Sequence, residues 1–321
     1  MRSGTGTPPV APDTTRNIPE PPRLDPLCAA ARLTGLLNPS GQSWSWQYQN
    51  NDWLLSQSDN NLINAAYTRN ARGIITDLKN TLVSNGSTLS EYSVTAWDAN
   101  GNPGTLAASV PAAPGFSGST TYVHDALVQL TSENSTRNGG YSNAFAYDGA
   151  GNATTFRGAT QSYNADNQNT VSGFDGAGNP TTYKGASLTF DAENRMTAYG
   201  STLTAGYRGD GLRAYKQSSS ATTYFYYDGM RPVFEENSSG AVTAVNTFGP
   251  AGFLARTSST RTLLYTRDAQ GCVSQQYDAS SGALAASYLF DAYGNRSSSS
   301  NDQAAIAEPF TGFDGIAGYY T

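Results

Sequence analysis

Short runs in which apolar or aromatic residues alternate with polar ones recur along most of this chain. Each ends on an aromatic residue followed by Asp or Asn and, a few positions later, Gly or Asn. Leu188 and Phe190 alternate before the phrase Phe190-Asp191-Ala192-Glu193-Asn194, and Met196 and Ala198 resume the alternation after it. That pattern predicts a strand, a tight reversal and a second strand, with those four side chains on one inward face. The Asp or Asn bonds backbone N–H groups two residues on, and the Gly, or Asn194 in its place, takes the positive φ that a reversal needs. Ile63, Tyr67, Ala71, Ile74, Leu78 and Leu82 by themselves fall at near-helical spacing. Gly73 interrupts them, however, and the stretch from Tyr67 to Thr76 aligns with the one from Tyr122 to Thr131, which has no helical spacing. Strands are therefore expected there too.

The pattern repeats as phrases. Phe174-Asp175-Gly176-Ala177-Gly178-Asn179 restates Tyr147-Asp148-Gly149-Ala150-Gly151-Asn152 at a displacement of about 27 residues, within the range that marks arrays whose units bury their faces on one another. Trp97-Asp98-Ala99-Asn100-Gly101-Asn102, Tyr207-Arg208-Gly209-Asp210-Gly211, Tyr227-Asp228-Gly229, Tyr277-Asp278-Ala279 and Phe290-Asp291-Ala292-Tyr293-Gly294-Asn295 continue the series. An isolated hairpin is marginal in water, so the hairpins must stack. The expected fold is all-β: an array of hairpins coiling into an open shell or spiral of mostly antiparallel sheet, with Tyr147, Phe174 and Phe190 facing a common interior. Residues 1–43 differ, being rich in Pro and small residues, and read as a linker or poorly ordered arm; residues 44–321 read as the array.

Composition sharpens this picture. With 20 Tyr, 12 Phe and 4 Trp against only 14% charged residues, the core should be aromatic and β-rich. A net charge of −6 without a basic run gives no footprint for DNA or RNA. Cys28 and Cys272 lie far apart without metal-ligand spacing and are expected as free thiols. No stretch approaches the apolar length of a membrane span, and the amino terminus carries no export signal of its own.

On the strength of many units and of longer phrases, the chain resembles the tyrosine–aspartate (YD) repeats of Rhs proteins, bacterial relatives of the teneurin shell and of the C component of insecticidal toxin complexes. The phrases from Tyr207 to Ala214 and from Phe225 to Val233 are similar to segments preceding the Rhs core. Tyr288-Leu289-Phe290-Asp291-Ala292-Tyr293-Gly294-Asn295 and Pro309-Phe310-Thr311-Gly312-Phe313 resemble the approach to it. The resemblance covers roughly Trp44 to Thr321 and stops before the core, whose segment carries self-cleavage in some relatives, so no catalytic residue is carried over. It implies a secreted or cell-surface bacterial shell segment enclosing a carboxy-terminal toxin or other cargo polypeptide that is absent from this chain.

Candidate chemistry is weighed against that array. His124 is the only histidine, so a nucleophilic triad must use it. It fills the slot held by Tyr147 and Phe174 in other units, and Asp125 beside it on a strand points to the opposite face. The acids Asp98, Asp148, Asp175, Asp191, Asp228 and Asp291 recur at equivalent turns, whereas catalytic carboxylate pairs need one raised and one ordinary pKa in a unique cleft. The phrases from Asp98 to Asn102 and from Asp148 to Asn152 share alternating oxygens with calcium loops but lack the closing Glu. No Gly-rich phrase has the spacing of a phosphate cradle. No catalytic, cofactor-binding or metal residue is therefore assigned, and the chain is expected not to be an enzyme and to need no cofactor. The alternative to a structural wall is a carbohydrate-binding or adhesive surface module, with Trp44, Trp46 and Trp53 as a platform for a cell-surface glycan; packing, or capping of the first open coil, is the other use for these indoles.

Overall fold

The computed structural model describes residues 32–218 and 221–298. Residues 1–32 and 33–321 divide into two units, and the Pro-rich stretch up to residue 31, including Cys28, lies outside the described residues, as does everything after residue 298. The array is already under way before the boundary expected at Trp44: Gly35–Leu37 is a strand paired antiparallel with Ser43–Tyr48. The reversal between them is built on Asn38, in the same way as later reversals are built on Asp.

From there the chain is an antiparallel meander in two sheets, each strand pairing with its neighbours in sequence within its sheet. It forms a 12-stranded sheet from Gly35–Leu37 to Ala159–Thr160 and a 13-stranded sheet from Thr182–Tyr183 to Arg296–Ser298. The helically spaced stretch is two strands, Ile63–Arg69 and Ile75–Leu82, because a reversal on Asn70 with Gly73 at φ 83° divides it.

One reversal geometry generates the meander. In Asp148-Gly149-Ala150-Gly151-Asn152 the first residue's N–H donates to the fifth residue's carbonyl at 3.0 Å, and the fourth residue's N–H donates to the first residue's carbonyl at 3.0 Å. The Asp148 Oδ1 accepts the N–H groups of Ala150 and Asn152, both at 2.9 Å. The same pattern recurs on Asn38, Asn70, Asp98, Asp125, Asn164, Asp175, Asp191, Asn237, Asp268 and Asp291. In each of them the fourth residue holds a positive φ, usually as Gly, as Asn at Asn167 and Asn194, and as Val at Val128. A register shift falls just before the aromatic slot in many units, at Ala146/Tyr147, Thr189/Phe190 and Gly206/Tyr207 among others. A bulge bends its strand and increases the local right-handed twist, so repeating it at one end of successive hairpins coils the sheet.

The aromatic slot also has a polar role. The Tyr147 hydroxyl donates to the Leu130 carbonyl at 3.0 Å, Tyr163 to Ala153 at 3.3 Å, Tyr207 to Met196 at 2.7 Å and Tyr227 to Arg213 at 2.9 Å. Each acceptor lies near the start of the strand that leaves the preceding reversal. The ring thus covers the hairpin while its hydroxyl ties one unit to the one before it.

Two expectations change. The bulge between Thr189 and Phe190 sets Met196 opposite Phe190 but Ala198 opposite Thr189, so Tyr199, opposite Leu188, shares their face instead of Ala198. Tyr147, Phe174 and Phe190 are half-buried, and none belongs to a core cluster. The doubled phrase lies where the ladder thins to the isolated bridges Tyr163↔Asn169 and Phe174↔Pro180 and to two-residue strands. Val171 is 79% exposed and Tyr183 56%.

The core lies elsewhere. Gly252–Thr257, Thr262–Arg267, Val273–Asp278 and Leu284–Phe290 are buried along nearly their whole length, on both faces. Their sequences carry adjacent apolar residues, Phe253-Leu254-Ala255 and Leu263-Leu264-Tyr265, the mark of strands covered on both sides.

The reversal geometry makes a paired prediction. At Gly178, φ is 84° and an added Cβ meets only Gln168 Nε2 at an ordinary 3.6 Å, so strain in Gly178→Val comes from the backbone alone and should cost about 1 kcal/mol. Val128→Gly, at the equivalent position with φ 65°, should stabilise by a similar amount, about 1 kcal/mol. Denaturant unfolding of both variants checks this, and equal midpoints for all three proteins would show that the fourth position is not strained.

Candidate functional site

The seam where early strands lie over late ones is where the described chain concentrates its buried polar chemistry. Trp44 and Trp46, 2% and 3% exposed, project from Ser43–Tyr48 and pack with Ile63 against Leu254, Leu264 and Tyr277. Tyr92, Leu106 and Phe116 pack in the same way with Leu289. Burying an indole contributes on the order of 4 kcal/mol from apolar area alone. These two indoles are therefore core anchors between coils and offer no platform to a glycan. Trp53 is half-buried, with its ring in the space that a side chain on Gly73 would occupy.

Polar groups set the register of the seam. The Trp46 Nε1 donates to Gln57 Oε1 at 2.8 Å, and the Gln57 Nε2 donates to Asp59 Oδ1 at 2.7 Å. Asn38 reaches Thr247, Asn80 reaches the Arg267 carbonyl, and Gln275 reaches the Tyr92 hydroxyl, at 3.1, 3.3 and 3.3 Å. Burial pushes the Asp59 carboxyl up to about 7, against the lowering effects of Gln57 and Arg267, and the Asp268 carboxyl up to about 6.

At one end of the seam the reversal on Asp291 docks into the early sheet. Fully buried Glu133 accepts from Tyr141 Oη at 3.0 Å, from Asn143 Nδ2 at 3.1 Å and from the backbone N–H of Ala292 at 3.1 Å. Arg157 Nε lies 2.7 Å from Asp291 Oδ2, and its Nη2 donates to Oδ1 at 2.8 Å. Tyr293 packs against Phe145, tilted, and Phe156, edge-on, with centroids 4.9 and 5.2 Å away, and its hydroxyl lies 2.6 Å from that of Tyr147. A fully buried pair, Arg256 to Glu235 at 2.6 Å, is completed by Asn246. Such pairs are costly to break because the surviving partner stays buried and uncompensated.

The recurring acids stand apart from this seam chemistry, with Asp291 the exception. Asp98 and Asp148 each give Oδ1 to two backbone N–H groups and Oδ2 to the Nδ2 of Asn102 or Asn152, at 2.8 and 2.9 Å. Hydrogen bonds from Asn102 and Asn152 hold these carboxyls below the usual range, and bonds led by the backbone N–H groups of Asn179 and Arg195 do the same for Asp175 and Asp191. Both oxygens of the Asp98 and Asp148 carboxylates are thus engaged within their own turns. Asp228 sits at a tighter reversal, opposite Arg231. His124 Nδ1 lies 3.3 Å from Asp98 Oδ2, the turn acid of the preceding unit, and not against Asp125. Cys272 is buried and forms no disulfide. Among the described residues no cluster of three or more His, Cys, Asp or Glu is gathered, and no helix is long and apolar enough to cross a membrane.

No family model and no curated protein matches the sequence. Solved structures do match the fold. The chain is similar to a chain of the Photorhabdus luminescens Tc holotoxin pore, at 15% identity and TM-score 0.65, covering 86% of this chain and 18% of that one. It is also similar to the crystal structure of TcdB2-TccC3, at 16% identity and TM-score 0.68, covering 85% and 18%. A third match, TcdB2-TccC3 without the hypervariable C-terminal region, has TM-score 0.67 at 16% identity, covering 85% and 17%. The chain thus spans less than a fifth of the length of these structures. Their likeness establishes an Rhs-like β-shell fold: an open, coiling antiparallel repeat array.

The buried acid in the seam predicts a pH dependence. Below the ordinary carboxylate range both folded and unfolded Asp59 hold the proton. Between there and about 7 only the folded form holds it, so stability falls as pH rises through that window and levels off above it. Asp59→Asn keeps an acceptor for Gln57 and cannot ionise. It should match the natural protein at about pH 4 and exceed it by a few kcal/mol at about pH 8 in urea unfolding; parallel curves at both would remove Asp59 as the cause.

Proposed function

We propose that this chain is a non-enzymatic wall segment of a secreted or cell-surface Rhs-type shell that encloses a carboxy-terminal toxin or other cargo polypeptide. The reading is carried by one observation: the repeated acids, the feature most open to a catalytic interpretation, mostly hold the reversals of an array whose fold matches part of the Tc toxin structures. A wall needs an element that curves without closing and carries its own turn chemistry, and the bulged, Asp-capped hairpin meets both needs. One of the matching structures is TcdB2-TccC3 without its hypervariable C-terminal region, and a variable carboxy-terminal region fits a constant wall around a changing passenger. The seam between coils is then the wall's internal fastening.

The test is protease protection in the complete gene product. Any polypeptide encoded in frame beyond Thr321 should resist digestion while the array is folded and be cut once denaturant opens it. Equal cleavage in both states, or a frame that ends at Thr321, overturns the enclosure. His124→Ala should leave any hydrolytic activity of the preparation unchanged, and loss of such activity would return the chain to the enzymes.

A further inference from the structure

Beside the seam, the reversals at the ends of the early strands leave a space roofed by two late reversals, Gly249–Gly252 and Asp268–Cys272. The space is a cavity of about 450 Å³, walled by Tyr48, Leu54, Ile75, Leu78, Pro250 and Ala251. A neighbouring cavity of about 270 Å³ shares Arg69, Ile75, Ala269 and Gln270 with it, so these four form a neck between two lobes. Together they have the size and mostly apolar lining of a small-molecule site.

Two arginines, Arg69 and Arg267, and two acids, Asp52 and Asp268, also line this cavity. Arg267 lines it at 5% exposure and donates through Nη2 to the Phe253 carbonyl, yet its Nε has no hydrogen-bond partner among the described residues. The Nε of Arg69, at the neck, is also without one. The acids nearby are otherwise engaged. Asp268 holds its own reversal through Gln270 N and Cys272 N and is balanced by Arg137; Asp59, held by Gln57, and Tyr67 act on Arg267 by charge but neither accepts from its Nε; Asp52, which also lines the cavity, is exposed. A buried guanidinium N–H that faces a cavity without an acceptor is costly, and burial pulls Arg267 below its usual pKa against the opposing charges of Tyr67 and Asp59. An anion entering the cavity would supply the missing partner, and a planar carboxylate suits the guanidinium fork.

We infer that this two-lobed cavity is a binding site for a small apolar monocarboxylate, its carboxylate on the Arg267 and Arg69 guanidinium groups and its hydrocarbon body along the Leu54, Ile75 and Leu78 wall. The site is independent of whether the shell encloses cargo, and it concerns only residues of this chain.

Calorimetric titration of the intact chain with phenylbutyrate, and separately with its neutral amide phenylbutyramide, tests the assignment. The acid should bind about tenfold or more tightly than the amide, the discrimination expected of a charge-assisted hydrogen bond. Ala269→Phe, which fills the neck from a half-buried turn position, should abolish binding. Arg69→Gln, at the less buried arginine, should weaken the acid severalfold and leave the amide unchanged. An Arg267→Gln variant that folds should lose the preference for the acid; if it does not fold, the other two variants decide the question. Equal affinity for acid and amide, full binding by Ala269→Phe, or no saturable binding up to about 10 mM each overturns the site.

Discussion

Everything in this fold depends on one five-residue reversal, in which a single carboxylate or amide oxygen accepts two backbone N–H groups that the strands cannot pair. The turn needs a short acceptor side chain at its first position and a positive φ at its fourth, and it leaves a register shift at the aromatic slot before it. Satisfying those N–H groups locally lets hairpin follow hairpin without a long connection. The bulge adds twist at the same end of successive hairpins, so the meander coils and does not extend as a flat sheet. Where the slot before the turn holds tyrosine, its hydroxyl links the unit to the last through a carbonyl of the preceding hairpin, and a ladder from Asn152 to Asn167 and from Asn179 to Asn194, at 2.9 and 2.8 Å, adds a second link.

Regularity and burial run in opposite directions along the chain. The most faithful repeats, from Tyr147 to Gly200, form thin, exposed hairpins, while the irregular strands from Gly252 to Phe290 form the core. A hairpin that satisfies itself through its turn needs little from its neighbours and can keep an invariant phrase. A strand covered on both faces must fit two different surfaces, and so drifts from the repeat toward whatever those surfaces require. At the position preceding Asp268, the slot that Trp97, Tyr147, Phe174, Phe190 and Phe290 fill elsewhere, this gives Arg267, as the reversal on Asn70 is preceded by Arg69, and both arginines lie beside a cavity.

The legible and illegible parts divide along the same line. Strand type, reversal positions and the turn role of the acids follow from local alternation and turn chemistry, and residues such as Asp148, Gly151 and Asn194 act as expected. The helical spacing from Ile63 to Leu82 is broken by Asn70 and Gly73 because the turn closes locally. The face assigned to Ala198 was wrong because a bulge is a two-strand property, visible only once the partner register is known. Trp44 and Trp46 look alike in sequence whether exposed or buried, and their burial depends on strands about 200 residues away. The seam residues Glu133, Arg157, Asp59 and Arg267 carry no local signal at all, although the adjacent apolar residues at Phe253-Leu254-Ala255 could have marked their surroundings as doubly covered.

By itself the sequence determined that the chain is an all-β array of Asp-capped hairpins, because turn chemistry and strand alternation act over a few residues and are written in them. Tertiary structure alone decided which aromatic residues are core, which acids are buried beyond their ordinary ionisation and where a guanidinium is left facing a cavity. Those properties depend on which distant strand a coil brings opposite each face, and the hydrophobic effect that selects the partner is non-directional and leaves no short-range mark.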